Sequence, residues 1–91
     1  MKLINKVAFV TGAGQGMGRA IVRHFAEQGA HVVAADINLE AARQTIEGLG
    51  DNAMAVGCNV ADSDSVATAM AAVFARFGRF DVLVNNAGIG S

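Results

Sequence analysis

The 91-residue sequence predicts an α/β fold, a parallel four-stranded sheet built as β-α-β-α-β-α-β. Two observations carry that reading. Short apolar runs recur along the chain, and the segments between them repeat their apolar residues at helical spacing. One run, His31 to Asp36, has an unbroken apolar centre (Val32 to Ala35) rather than an alternating one, which suits a parallel strand covered on both faces. Strands separated by helices imply parallel pairing and right-handed crossovers.

The first strand is Val7 to Val10, ending at a cluster of glycines. Helical spacing then runs from Gly16 to Gln28, with Met17, Ile21, Val22 and Phe25 on one face and Gly18 in the middle of it. Arg19, Arg23 and Glu27 lie opposite, and Gly29 ends the helix. The second strand is His31 to Asp36. Asn38 is the expected N-cap of a helix over 39–48, whose stripe is Leu39, Ala42, Ile46 and Leu49. Gly48 and Gly50 stop it. Ala53 to Asn59 forms the third strand. Asp62 or Ser63 caps a third helix that runs to Phe77 and buries Val66, Met70, Val73, Phe74 and Phe77, with Gly78 at its end. The fourth strand is Asp81 to Asn85.

Composition narrows the function classes. Apolar residues make up 53% and charged residues 16%, which excludes intrinsic disorder. The net charge of −1 argues against a dedicated nucleic-acid binder, which carries a basic surplus. A single cysteine, Cys58, allows no intrachain disulfide and fits a reducing, cytoplasmic setting. No run approaches the length of a membrane span, and the apolar start is too short for a secretory signal core. No metal-ligand cluster stands out. His24, His31 and the methionines read as ordinary surface or core residues, and Cys58 as a small buried hydrophobe.

The chemistry is concentrated in Thr11 to Gly18, Thr-Gly-Ala-Gly-Gln-Gly-Met-Gly. This cluster follows a strand and opens a helix, the setting of a dinucleotide-binding loop. Gly12 lets the chain turn out of the strand. Gly14 and Gly16 clear the approach of a pyrophosphate, and Gly18 lets the helix pack close to the sheet. The helix N-terminus offers free N–H groups and the positive dipole end to phosphate. Asp36 ends the second strand, where an acidic residue accepts hydrogen bonds from an adenosine ribose. A 2′-phosphate beside that carboxylate meets a repulsion of about 4 kcal/mol per pair of unit charges, for a 4 Å separation in an effective dielectric of 20. Position 15 is Gln and position 37 is Ile, so no neighbouring base offsets it. NAD is therefore expected rather than NADP.

The sequence resembles the N-terminal half of a short-chain dehydrogenase/reductase. Thr11, Gly12, Gly16 and Gly18 match that family's Thr-Gly-x-x-x-Gly-x-Gly pattern, and Asn85, Asn86, Ala87 and Gly88 match its Asn-Asn-Ala-Gly. The resemblance implies a partial Rossmann fold with strand order 3-2-1-4, ending after the fourth strand, in a single NAD-binding domain over 1–91. It implies cofactor contacts from Gly12, Gly14, Gln15, Gly16, Met17 and Gly18, from Asp36 and Ile37, and from Asn86, Ala87 and Gly88. Asn86 would lie beside the adenosine ribose, while Asn85 to Gly88 brace the central strands. Where the family has Asp-Val after the third strand, this sequence has Asn59-Val60. An amide can accept from the adenine amino group and donate to a ring nitrogen, so Asn59 remains an expected adenine contact and Val60 an expected cofactor contact.

The activity implied is hydride transfer between NAD(H) and an alcohol or ketone. The resemblance also implies a catalytic Ser, Tyr and Lys. The sequence has no tyrosine. Lys2 and Lys6 precede the loop, Ser63 and Ser65 open a helix away from the strand tips, and Ser91 is terminal. No catalytic residue is assigned, and the 91 residues alone are expected to be catalytically incompetent. A non-catalytic nucleotide-binding module or complementing fragment is the alternative; a Rossmann-like methyltransferase half fits the two motifs poorly. Two helices would cover one sheet face but the third alone the other, and the fourth strand would be an edge, so Val82 to Val84 are expected to be partly exposed and the chain to be marginally stable or to self-associate through that strand and face.

Overall fold

The computed structural model describes residues 3–87. Its elements are β1 (Val7–Thr11), α1 (Gly16–Glu27), β2 (His31–Asp36), α2 (Leu39–Thr45), β3 (Ala53–Gly57), α3 (Ser63–Phe77) and β4 (Val82–Val84), with a short 3₁₀ turn at Gly50–Asn52 before β3. The strands pair in the order β3-β2-β1-β4, and every pairing is parallel. This is the expected order. All C-terminal strand ends therefore lie on one edge, where the loops after β1, β2, β3 and β4 meet.

Two cores flank the sheet. Val10, Val32, Ala34 and Ala53 face α1 and α2, where Val22 and Ala42 pack against them. On the opposite face Val7, Phe9, Val33 and Val56 meet Ala69 and Val73 of α3. β1 and β2 are buried on both faces, which is why their sequences run apolar without alternation. β4 is an edge strand, and Leu83 remains 58% exposed, as the uncovered fourth strand leads one to expect. No described helix is long and apolar enough to cross a membrane.

Element boundaries differ from the sequence reading in ways the backbone explains. β1 extends to Thr11, in register with Ala35. α2 closes at Thr45 rather than 48, because Ile46 already leaves helical dihedrals (φ −92°, ψ 2°) and Gly48 takes φ +82°. β3 stops at Gly57, although Cys58 N–H still donates to Asp36 O at 3.0 Å. β4 is shortened at both ends to Val82–Val84, although Asp81 N–H still donates to Val7 O at 3.0 Å and the Asp81 carboxylate turns back on β1. Its Oδ2 accepts from Val7 N–H at 2.9 Å while the Arg79 guanidinium holds both oxygens at 2.8 Å. Those contacts, Arg79 first, hold the Asp81 carboxyl below its ordinary value.

Three side chains lie elsewhere than the helical spacing placed them. Met17, expected on the buried face of α1, is 63% exposed at the helix start. Phe74, expected in the α3 stripe, is 51% exposed, with its ring 6.5 Å from that of Phe80. Arg19 leaves the solvent side of α1 and reaches α2, where its Nε donates to Thr45 Oγ1 at 3.0 Å. His31 is not an isolated surface ring: it packs on Phe77, with centroids 5.0 Å apart.

Candidate functional site

A cleft of about 620 Å³ opens along the C-terminal edge of the sheet. It is lined by Gly12, Gln15, Gly16 and Met17 after β1, by Asp36 and Ile37 after β2, by Cys58, Asn59 and Val60 after β3, and by Asn86 and Ala87 after β4. This is the crevice position at which open α/β sheets bind ligands, where the strand order reverses between β1 and β4.

The N-terminus of α1 faces this cleft without a side-chain cap. Gln15 is its N-cap and makes no capping bond, and no acidic residue lies in the first turn. The other two α-helices are satisfied by their own side chains: Asn38 accepts from Ala41 N–H, and Asp62 from Asp64 and Ser65 N–H. An uncapped helix start leaves donor N–H groups and a partial positive charge directed at whatever occupies the cleft. Gly16 adds to this. Its φ of +58° is a glycine conformation, and a Cβ there would meet nothing, so the loop presents bare backbone to open space.

Gly14 and Gly18 serve different ends from those the sequence suggested. Neither lines the cleft. A Cβ on Gly14 would come within 2.8 Å of Asp36 Oδ2 and 2.7 Å of Ala41 Cβ, so this glycine lets the loop reach the Asp36 carboxylate rather than clearing space for phosphate. A Cβ on Gly18 would strike the Gly12 carbonyl and approach Asn86 Nδ2 to 2.7 Å. Its closest partners are thus the returning loop and Asn86, not the face of the sheet.

Asp36 is held with both oxygens engaged. Oδ2 accepts from Gly14 N–H at 2.8 Å and Oδ1 from Asn38 N–H at 2.9 Å. The carboxylate is thereby fixed in the cleft lining, tied to the glycine loop on one side and to the start of α2 on the other. The segment after β4 is tied to β1. Thr11 Oγ1 lies 3.2 Å from Asn85 Oδ1 and accepts from Ala87 N–H at 3.1 Å, while Asn86 Nδ2 donates to Gly12 O at 3.2 Å. The expected bracing by Asn85, Asn86 and Ala87 is seen; Gly88 lies outside the described residues.

Beyond β3, Asn59 Oδ1 accepts from Ala61 N–H at 3.0 Å, which leaves the amide NH₂ as its free donor. Asn59 N–H donates to Ser65 Oγ at 2.9 Å. Ser65 therefore reaches the tip of β3, contrary to its expected place away from the strand ends. Cys58 also lines the cleft, which the sequence reading missed. Burial pushes its thiol above the ordinary value, against a smaller opposing effect of the Ser65 hydrogen bond, so a thiolate nucleophile is disfavoured there. Among the described residues no group of His, Cys, Asp and Glu could hold a metal ion.

Residues 6–91 match the model of the short chain dehydrogenase family. The chain belongs to that family. It is similar to a sorbitol dehydrogenase of Cereibacter sphaeroides, 43% identical over 98% of this chain and 35% of that protein. It is also similar to a D-threitol dehydrogenase of Mycolicibacterium smegmatis, 46% identical over 97% of this chain and 35% of that protein. Among solved structures it resembles the 3-ketoacyl-(acyl-carrier-protein) reductase of Brucella melitensis complexed with NADH. There the TM-score is 0.87 at 36% identity, over 90% of this chain and 34% of that one. The chain thus spans about a third of the length of the relatives it matches.

Proposed function

We propose that this chain is the NAD-binding segment of a short chain dehydrogenase that moves hydride between NAD(H) and an alcohol or ketone. The observation that carries this reading is the uncapped N-terminus of α1 opening on a cleft that Asp36, fixed by two backbone N–H groups, also lines. The donor set fits a dinucleotide. Backbone N–H groups at Gln15, Gly16 and Met17 would receive the pyrophosphate, while Gly18, which the sequence reading also offered as a contact, would act by letting α1 close on the loop. Asp36 would accept from the adenosine ribose, with Ile37, Asn59 and Val60 around the adenine. Asn86 and Ala87 would close the cleft beside the ribose, with Gly88 following them. Gly12 and Gly14 would act through the shape of the loop. The related reductase solved with NADH supports the same reading.

When bound, the nicotinamide ring supplies the hydride acceptor or donor. The residues of this chain bind and orient its adenosine half. The family's proton transfer uses a tyrosine, and these 91 residues contain none. The 91 residues by themselves are therefore proposed to bind the cofactor without turning it over.

Calorimetric titration with NAD⁺, NADP⁺ and AMP tests the reading. NAD⁺ and AMP should bind, with NAD⁺ favoured over NADP⁺ by at least about tenfold, the equivalent of ~1.4 kcal/mol. Asp36→Asn removes the charge and keeps one acceptor for the backbone N–H groups, and it should narrow that ratio. Equal binding of the two dinucleotides by the wild type, or a ratio indifferent to Asp36→Asn, would contradict the assignment.

A further inference from the structure

Behind the glycine loop, on the side away from the cleft, lies a polar group that joins three segments. Thr45 of α2 is fully buried. Its Oγ1 lies 2.6 Å from Ala13 O and 3.2 Å from Ala41 O, and accepts from Arg19 Nε at 3.0 Å. The acceptor side of the hydroxyl is taken by Arg19, so its one proton goes to a carbonyl, and Ala13 O is the nearer. Arg19 Nη2 donates to Gly14 O. The remaining polar groups of the same two residues are also fixed: Ala13 N–H donates to Ala35 O at 3.0 Å and Gly14 N–H to Asp36 Oδ2 at 2.8 Å. All four backbone polar groups of Ala13 and Gly14 are therefore engaged from α1, α2 and β2.

A trans peptide points its C=O and the following N–H in opposite directions. Holding Gly14 O back against Arg19 thus turns Gln15 N–H the other way, to the side on which Gln15 and Gly16 line the cleft. A guanidinium on that carbonyl also polarises the peptide and strengthens the N–H as a donor.

We propose that Arg19 and Thr45 are positioning residues that aim the Gln15 N–H at the pyrophosphate of a bound dinucleotide. Neither touches the ligand: Arg19 acts through the Gly14 carbonyl, and Thr45 through Ala13 and through Arg19. The inference rests on the nucleotide reading of the cleft and adds to it a cause for the loop's shape. It also gives α2, which contributes no residue beyond its N-cap region to the binding edge, a part in phosphate recognition.

The test compares ADP with adenosine as probes, since only ADP carries a pyrophosphate. Arg19→Met keeps the side-chain stem and removes the guanidinium at a half-buried position, and Thr45→Val keeps the shape and removes the hydroxyl. Each should weaken ADP binding roughly tenfold, the range of one charge-assisted hydrogen bond, while adenosine changes by less than about twofold. The double variant should be little worse than the poorer single one, because the two residues act in one network. Thr45→Ser should restore ADP affinity. A merely structural role would weaken both ligands together, with no rescue by the restored hydroxyl. Should Thr45→Val fail to fold, Arg19→Met alone carries the comparison. Unchanged ADP affinity in Arg19→Met, or an equal loss of ADP and adenosine, overturns this proposal and leaves the nucleotide site standing. A wild-type chain that binds neither probe overturns the nucleotide reading, and the positioning role with it.

Discussion

Gly18→Val is expected to lower the stability of this chain by about 3 kcal/mol and to abolish ADP binding. Overpacking costs roughly 1–3 kcal/mol where side chains can yield. Here the new Cβ would strike a main-chain carbonyl, that of Gly12, and approach Asn86 Nδ2 to 2.7 Å. That amide is already committed, donating to the same Gly12 carbonyl at 3.2 Å. Neither neighbour can swing aside, so either α1 moves off the loop or the loop moves into the cleft. A domain of this size has a total stability of roughly 5–14 kcal/mol, so the loss is a substantial fraction of it. The thermal midpoint should fall by about 15 °C, read by circular dichroism. A Gly18→Val chain that melts with the wild type would show that the close approach of α1 to the loop is not real.

Phe9→Ala is expected to cost more, about 3–5 kcal/mol, a large share of the total stability. Phe9 is among the largest fully buried side chains, at the centre of the core beneath α3, with its ring 6.0 Å from that of Phe80. Val7, Val33, Val56 and Val73 surround it and cannot collapse into the space, being anchored in strands and helix. Phe74→Ala is the matched control. That ring is half exposed, and its loss should change stability by no more than about 0.5 kcal/mol. Guanidinium unfolding of the two variants separates them. Equal midpoints would mean that the core does not lie where β1 and α3 place it.

The two phenylalanines also show what the sequence could and could not reveal. Phe9 sits in a short unbroken apolar run that ends at the glycine cluster, which reads as a strand and so places the ring in the core. Phe74 falls on the helical stripe with Val73 and Phe77, and spacing alone places it inward. It is exposed because α3 is the only described helix on its sheet face, so the stripe overhangs the core at the β4 side. Periodicity reports which face a helix offers, not how much of that face a neighbour covers. The position of the cleft was legible because the glycine loop, Asp36 and the Asn-Asn-Ala segment each follow a strand and must share one edge of a parallel sheet, whereas the strand order came from the family resemblance.

The finer roles were not legible, and the reason is common to them. Gly14 reads as one more glycine facing phosphate, yet it clears space for Asp36 and Ala41, residues from two later segments. Arg19 reads as a solvent-facing charge because its own helix gives it no partner; the partner, Thr45, comes from α2. Ser65 reads as a helix-start serine and in fact accepts from the backbone at Asn59. Each of these depends on where a second element packs. The one available signal was Thr45 itself, a hydroxyl between Ala42 and Ile46 near the apolar stripe of α2, which had to find a buried acceptor.

The central claim is that the α1 N-terminus and Asp36 together form the dinucleotide site. Amide chemical-shift mapping of the ¹⁵N-labelled chain during titration with NAD⁺ tests it most directly. The account predicts saturable shifts at Gln15, Gly16 and Met17, at Asp36 and Ile37, and at Asn59, with the amides of β1 beneath Phe9 and of the exposed α3 flank near Phe74 unmoved. Shifts confined to Val66, Met70, Phe80 and Leu83, which line a separate apolar groove between α3 and β4, or none in a chain whose spectrum is that of a folded protein, would contradict it.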